Sequence, residues 1–401
     1  MTGETGMARC ILTRSIAAGL CILSLAAAGC VIHTSGWGQA KFERTMEQQA
    51  PLATNTAIDV ESRNGSITIN GAEAAEFNVS ATITGHAPTE EEAQELAEKT
   101  QIRLESAGNT LRVRADMPTT RNNRSVTVSY TITAPRRISV KCDSDYGSLH
   151  VADIEGTVTA TSDNGSIHVE AIRGLVNVHT SYGSITCRNV TAQMTELESS
   201  NGSITISDLK GSAKVETNYG SITCENFSDG DYHFKSENGR VAVAHGSVGE
   251  CDASSSYGAI VCSDVKGNPI KLSSGNGSIE LTNVEAQDLS LSSSYGAIRA
   301  GQITTADVTA HSDNGSVSLV CSDACAANLK AQVKSGYGSI DFTAPPQFAG
   351  QVRLSTDYGS VRTARPVTLS GEIDKKNLRG TIGEGTGSIV LETSNGSVEL
   401  K

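Results

Sequence analysis

The sequence predicts an all-β chain wound as a β-solenoid, read as a right-handed β-helix of about 19-residue coils with one short N-terminal helix. Three observations carry this. A short phrase returns at almost constant spacing, its flanks alternate apolar and polar residues, and the composition lacks the material for a large globular core. Aromatic residues make up only 4% of the 401, with one Trp and six Phe, whereas Gly reaches 39 and Pro only 8. A chain rich in Gly, Ser, Thr, Val and Ile suits strands and tight turns.

The phrase is TSYGSITCRNV at Thr180–Val190, SSNGSITISDL at Ser199–Leu209 and TNYGSITCENF at Thr217–Phe227. Taking the Tyr or Asn before Gly as position zero, the series runs Tyr146, Asn164, Tyr182, Asn201, Tyr219, Asn238, Tyr257, Asn276, Tyr295, Asn314, Tyr337 and Tyr358. Asn64 precedes it and Asn395 follows. Spacings are 18 or 19 up to Asn314, then 23 and 21. Six and four residues before zero the side chain is mostly apolar, as in Val176 and Val178 or Ile270 and Leu272. Two before, it is Ser or Thr. Three after, it is Ile, Val or Leu, from Leu149 to Val361. Eight after is often apolar again, as in Ile172, Val190 and Leu209.

Alternation with period two means a strand with one buried face, so each unit holds two short strands. The corner between them is Ser-Tyr/Asn-Gly-Ser, where Gly is expected to supply a positive φ. A meander of hairpins is the alternative, because Asn-Gly is also a hairpin signal. The solenoid is preferred because stacked coils place identical positions in ladders, which explains why one inward residue type recurs at one place. Each buried aliphatic is worth ~1.5–3 kcal/mol. About thirteen coils at ~4.8 Å would make a rod of ~60 Å.

Position zero continues the parity of the buried residues before it. The expectation is therefore an inward corner in which a large ring on one coil and a small amide on the next interleave. The functional alternative is an outward stripe of Tyr146, Tyr182, Tyr219, Tyr257, Tyr295, Tyr337 and Tyr358 that stacks on sugar rings or on a partner.

The ends depart from the period. Arg9 and Arg14 precede an uncharged apolar run, Ser15 to Ala28, that ends in Ala-Ala-Gly-Cys30. A positive flank, a short apolar centre and small residues before a cut site predict a signal peptide over 1–29. The run is shorter than the ~20 residues of a membrane span. Ala-Ala-Gly-Cys30 resembles a bacterial lipobox, which makes Cys30 the candidate lipidation site and membrane anchor. Val31 follows it, and without an Asp at that place an outer-membrane destination is expected. Residues 30–53 read as a polar tether and 54–140 as an N-terminal β cap. Within that cap TEEEAQELAEKTQIRL predicts an amphipathic helix over about 89–104, capped by Thr89, with Ala93, Leu96 and Ala97 inward. Residues 141–366 are the regular repeats and 367–401 closing strands.

Seven Cys follow Cys30. Cys187, Cys224 and Cys262 share the position five after Tyr in alternate units. With one unit per coil they lie two coils apart, ~9.6 Å, too far for a disulfide. With two units per coil they would be ladder neighbours. Cys321 and Cys325, in CSDAC, are the candidate loop disulfide. His150 and His168 both lie four after zero, as outward neighbours on adjacent coils, without the repeated carboxylate or Cys partner a metal site would need. No metal or cofactor is assigned, and no nucleophile elbow or phosphate loop is present. The net charge of −12 disfavours nucleic acid as partner.

The opening IDVESRNGSITINGAE, the short acidic helix, and the SDYGSL, SDNGSI, TSYGSI and SSNGSI repeats together resemble the bacterial "putative adhesin" family, an envelope-associated domain of unknown function. The resemblance covers nearly all of the chain after the tether. It implies a β-solenoid, a location outside the cytoplasm and no known catalytic residues. The expected function is a non-enzymatic, lipid-anchored envelope protein that presents a rigid face to a glycan or an envelope protein. An envelope-assembly or stress-sensing scaffold with self-association is the alternative, and a β-helical polysaccharide lyase or hydrolase the third.

Overall fold

The computed structural model describes residues 40–52, 56–121, 123–370 and 374–401, with the short strands Ser24–Ala26 and Cys30–Val31. The leader read at 1–29 and the Cys30 side chain otherwise lie outside the described residues.

The repeats wind as a solenoid with one unit per coil. From Tyr146 to Tyr337 they make about 11 coils of roughly 19 residues. Every coil gives one strand to each of two parallel ladders. In the ladder before the corner, Val140, Val158, Val176, Thr195, Ala213, Tyr232, Cys251, Ile270, Leu289, Val308 and Ala331 are successive partners. In the ladder after it, Ile67, Leu149, Ile167, Ile185, Ile204, Ile222, Val241 and Ile260 stand in register. Their side chains form the continuous buried column that period-two alternation requires. The Cys question is settled by the same register: Cys187 pairs with Ile206, Ile206 with Cys224, Cys224 with Val243 and Val243 with Cys262.

Three aromatics, Phe227, Tyr232 and Phe234, gather where small residues leave room. Tyr232 sits in its ladder between Ala213 and Cys251. Phe227 packs edge-on to Tyr232 with ring centroids 4.8 Å apart. The phenol of Tyr232 donates to the Ser228 carbonyl at 2.9 Å, which satisfies its buried hydroxyl. Gly246 lies one coil further on, where a Cβ would meet the Phe227 ring.

The N-terminal end is capped. The coil containing Asn64 stacks under that of Tyr146, and Thr110–Asp116 and Ser125–Pro135 extend its two ladders by one more level. The helix α1 spans Glu90–Lys99, begins where Thr89 accepts from the Glu92 N–H, and buries Ala93, Leu96 and Ala97. It is shorter than the sequence suggested, because Gln101–Ala107 turns back as a strand antiparallel to Thr110–Asp116. The stretch read as a tether, 30–53, also needs correction. Ala40–Pro51 is a twelve-residue strand paired antiparallel with Glu76–Ala87. Its partner supplies the alternating apolar face, Phe77, Val79, Ala81 and Ile83, all buried.

At the other end the chain leaves sequence order. The strand Gly387–Asn395 pairs in parallel with Lys330–Ser335 on one side and with Gly350–Tyr358 on the other. The coil of Asn395 is thus inserted between those of Tyr337 and Tyr358, and the closing region expected over 367–401 is in part an internal coil. Closure falls instead to Asn377–Ile382, antiparallel to Gly350–Tyr358, and to Thr368–Leu369 beyond it.

Candidate functional site: the tyrosine corner

Each corner is built from three residues with separate tasks. The Ser or Thr two before zero is buried. From Ser199 to Ser335 its hydroxyl donates to the corner Gly carbonyl of the neighbouring coil and accepts from the corner Gly N–H of its own. Ser199 does so at 2.9 Å to Gly183 and 2.8 Å from Gly202, and Ser312 at 3.1 Å to Gly296 and 2.8 Å from Gly315. The same hydroxyl-to-Gly bond joins Thr393 to Gly338 and Thr356 to Gly396, so it follows spatial rather than sequence order.

The corner Gly is present for close approach. A Cβ on Gly202, Gly220 or Gly239 would overlap the carbonyl oxygen of the corner Gly one coil away. Among the corner glycines only Gly65 has a φ in the left-handed range, so the positive φ expected for them is not their role.

With Gly turned inward, the parity slips before position zero and not after it. The expectation of an interleaved inward ring is therefore overturned. Tyr146, Tyr182, Tyr219, Tyr257, Tyr295, Tyr337 and Tyr358 are 63% to 75% exposed. They form one row along the rod. The Asn of the intervening coils are pinned by their amides: Asn201 donates Nδ2 to the Ser181 carbonyl at 3.0 Å, and Asn238 does so to Asn218 at 3.0 Å. Where sequence order puts Tyr358 after Tyr337, the inserted Asn395 stands between them and pairs with Tyr358. Its N–H bonds the Gly336 carbonyl. The alternation is thus unbroken in space from Asn64 to Tyr358.

The row has distinct ends. At the first, Asn64, Ser66, Ser129, Tyr146 and Ser148 line a shallow polar groove. At the other, the Lys376 ammonium lies 5.6 Å from the centre of the Tyr358 ring, within cation–π range.

A second corner escaped the sequence reading. The residue seven after zero is left-handed in nine units, with φ between 52° and 59°. Six of them are Asp153, Asn189, Asp208, Asn226, Asp264 and Asn283, the residue types that tolerate this conformation best. The kink lets positions five and eight after zero both point inward. It also stacks side chains: Asn283 donates to Asp264 at 2.7 Å and Asn226 to Asp208 at 3.2 Å. Recurrence of Asp or Asn at that offset was the available signal.

The other candidates are placed as follows. Cys321 and Cys325 are both buried and carry free thiols. The Cys321 thiol, as hydrogen-bond partner, lowers Cys325 to about 6 against the opposing effect of burial, and the Thr305 N–H adds to the lowering. Burial pushes Cys142, Cys187 and Cys251 up to about 12. His150 and His168 stack face to face on adjacent coils, centroids 4.9 Å apart. Burial and the neighbouring His168 hold His150 below its ordinary value. Among the described residues no three His, Cys, Asp or Glu converge as a metal set. Charged side chains pair across coils on the outer faces, as Lys266 with Glu285 and Lys271 with Glu250, both at 2.7 Å.

Fold and corner together define the class of this protein: a β-solenoid that displays a periodic aromatic row. The chain belongs to the family described as Toastrack DUF4097, whose model matches it twice, over residues 55–260 and 228–401. No curated protein matches it. Two solved structures are similar to it. One is described as a "putative cell adhesion protein" from Clostridium sporogenes ATCC 15579, 10% identical, covering 90% of this chain and 99% of that one, with a TM-score of 0.20. The other is a "putative adhesin" from Bacteroides fragilis NCTC 9343, 12% identical, covering 89% and 97%, with a TM-score of 0.21.

Proposed function

We propose that this protein is a non-enzymatic scaffold of the bacterial cell envelope, anchored through a lipid on Cys30, whose tyrosine row is an adhesive face. The observation that carries the reading is the unbroken Tyr/Asn alternation on the exposed corner. Packing does not require it, since the rings bury little of themselves. The core is already complete behind the Ser/Thr and Gly of each corner. A ring at every second coil, kept even where the chain leaves sequence order, supports a surface that must be periodic. Tyr offers a rigid amphipathic contact at low entropic cost. A rod that repeats one weak contact gains strength by avidity without any single deep pocket.

The test is sedimentation of the full-length protein with envelope fragments, beside a variant with all seven row tyrosines changed to Ser. Wild type is expected to co-sediment and the variant to lose binding more than about tenfold. Undiminished binding by the variant, or none by wild type, would refute the adhesive face. Mass spectrometry of the native N-terminal peptide should find acyl chains on Cys30, and an unmodified Cys30 would remove the anchor.

A further inference from the structure

We propose that the tyrosine row takes an uncharged, linear β-1,4-linked glycan lying along the rod, with one ring under every second sugar. The inference rests on the adhesive face argued above and assigns it a ligand class.

The first argument is period. Tyr occupies alternate coils, so with a coil rise of ~4.8 Å the rings recur every ~9.6 Å. In a β-1,4-linked ribbon each sugar is turned over relative to the last, so a given sugar face recurs once per disaccharide, at nearly that distance. Protein and polymer then share a period of two. A Tyr ring meets the apolar C–H face of one pyranose. The pinned Asn amide of the next coil and the exposed Ser hydroxyls two after zero, such as Ser184 and Ser203, meet the hydroxyl edges of its neighbour. The disaccharide is slightly longer than two coil rises, so register holds over a few rings at a time.

The second argument is charge. Residues beside position zero in the middle of the row, Ser181, Ser200, Asn218, Ser256 and Ser294, are uncharged, and Glu237 is followed by Arg240 on its own coil. A polyuronate or phosphate polymer would also face a chain of net charge −12, which an uncharged one does not. The polar groove at Asn64 and Tyr146 leaves the first end of the row open for a polymer that continues past it.

Isothermal titration of the full-length protein with chito- and cello-oligosaccharides of increasing length tests this, with α-1,4-linked malto-oligosaccharides as control. Affinity is expected to rise with each added disaccharide rather than each added sugar, and then to level off. Tyr219→Ala should lower it about two- to tenfold and Tyr219→Phe should keep it. Both variants should keep the wild-type melting temperature, because the ring is exposed. If neither β-1,4 series binds, or the malto series binds as well, the glycan assignment is overturned. The adhesive face itself survives that result if the seven-Tyr variant still loses envelope binding, and falls with it otherwise.

Discussion

Replacing Gly202 with Ala places a methyl group against the Gly183 carbonyl, closer than the 3.0 Å that real Cβ atoms essentially never breach. Neither partner can yield alone. The Gly183 oxygen is held by Ser199 at 2.9 Å, and the coil spacing by Ser200 N–H to Thr180 and Asn201 N–H to Ser181, each at 3.0 Å. Separating the coils enough to admit the methyl sacrifices two or three of these bonds, each worth about 1 kcal/mol. Overpacking strain of about 1–3 kcal/mol adds to that. The expected loss is therefore about 3–6 kcal/mol. Gly301→Ala is the control. Its nearest neighbour to a new Cβ is the Leu281 oxygen at 4.0 Å, so it should be neutral or stabilising by about 0.4–1 kcal/mol through the unfolded chain. Urea unfolding followed by circular dichroism compares the two. A Gly202→Ala protein within about 0.5 kcal/mol of wild type would refute the claim that the corner Gly serves close approach.

Ser199→Ala should cost about 1–3 kcal/mol in the same assay, because it leaves the buried Gly202 N–H without an acceptor. Alkylation of the folded protein at mild alkaline pH should spare Cys142, Cys187 and Cys251, whose thiols burial keeps protonated, and reach Cys325 before them, because it lines a surface cavity with Thr304, Thr305 and Ala326 and its thiol is lowered; peptide mapping reads the order. His150 has a folded value below its ordinary 6.5, so the unfolded chain takes up protons first. Its contribution is full above 6.5 and is lost as pH falls toward the folded value. The groups facing it are His168 and Glu170, and His150→Gln should flatten the acid side of a stability-against-pH curve.

Much of the architecture is legible in the residues because a solenoid repeats its constraints. Ile at three after zero and Ser or Thr at two before can be read directly as one buried column and one buried hydroxyl line. The helix start is equally legible, since Thr89 and the three following Glu are a capping pattern with a single meaning. The outward turn of Tyr182 was not legible. Period-two parity counts residues but does not say at which one a corner slips, and that depends on Gly183 entering the core. Nor was the strand at Ala40–Pro51, whose polar residues pair with Glu76–Ala87 and need little burial of their own. The insertion of Asn395 beside Tyr358 is a long-range pairing that local periodicity cannot order. Only the broken alternation at Tyr337 and Tyr358 hinted at it.

That insertion has a bearing on biogenesis. Gly350–Tyr358 has no parallel seat until Gly387–Asn395 arrives, since it meets the stack only through that strand. A chain in which Gly387–Asn395 has not yet docked therefore carries an unfinished tip, with the Lys330–Ser335 edge open to any passing strand. Docking of that one strand seals the shaft on both of its sides. Truncation by even one coil would thus expose a sticky terminus instead of merely shortening the molecule.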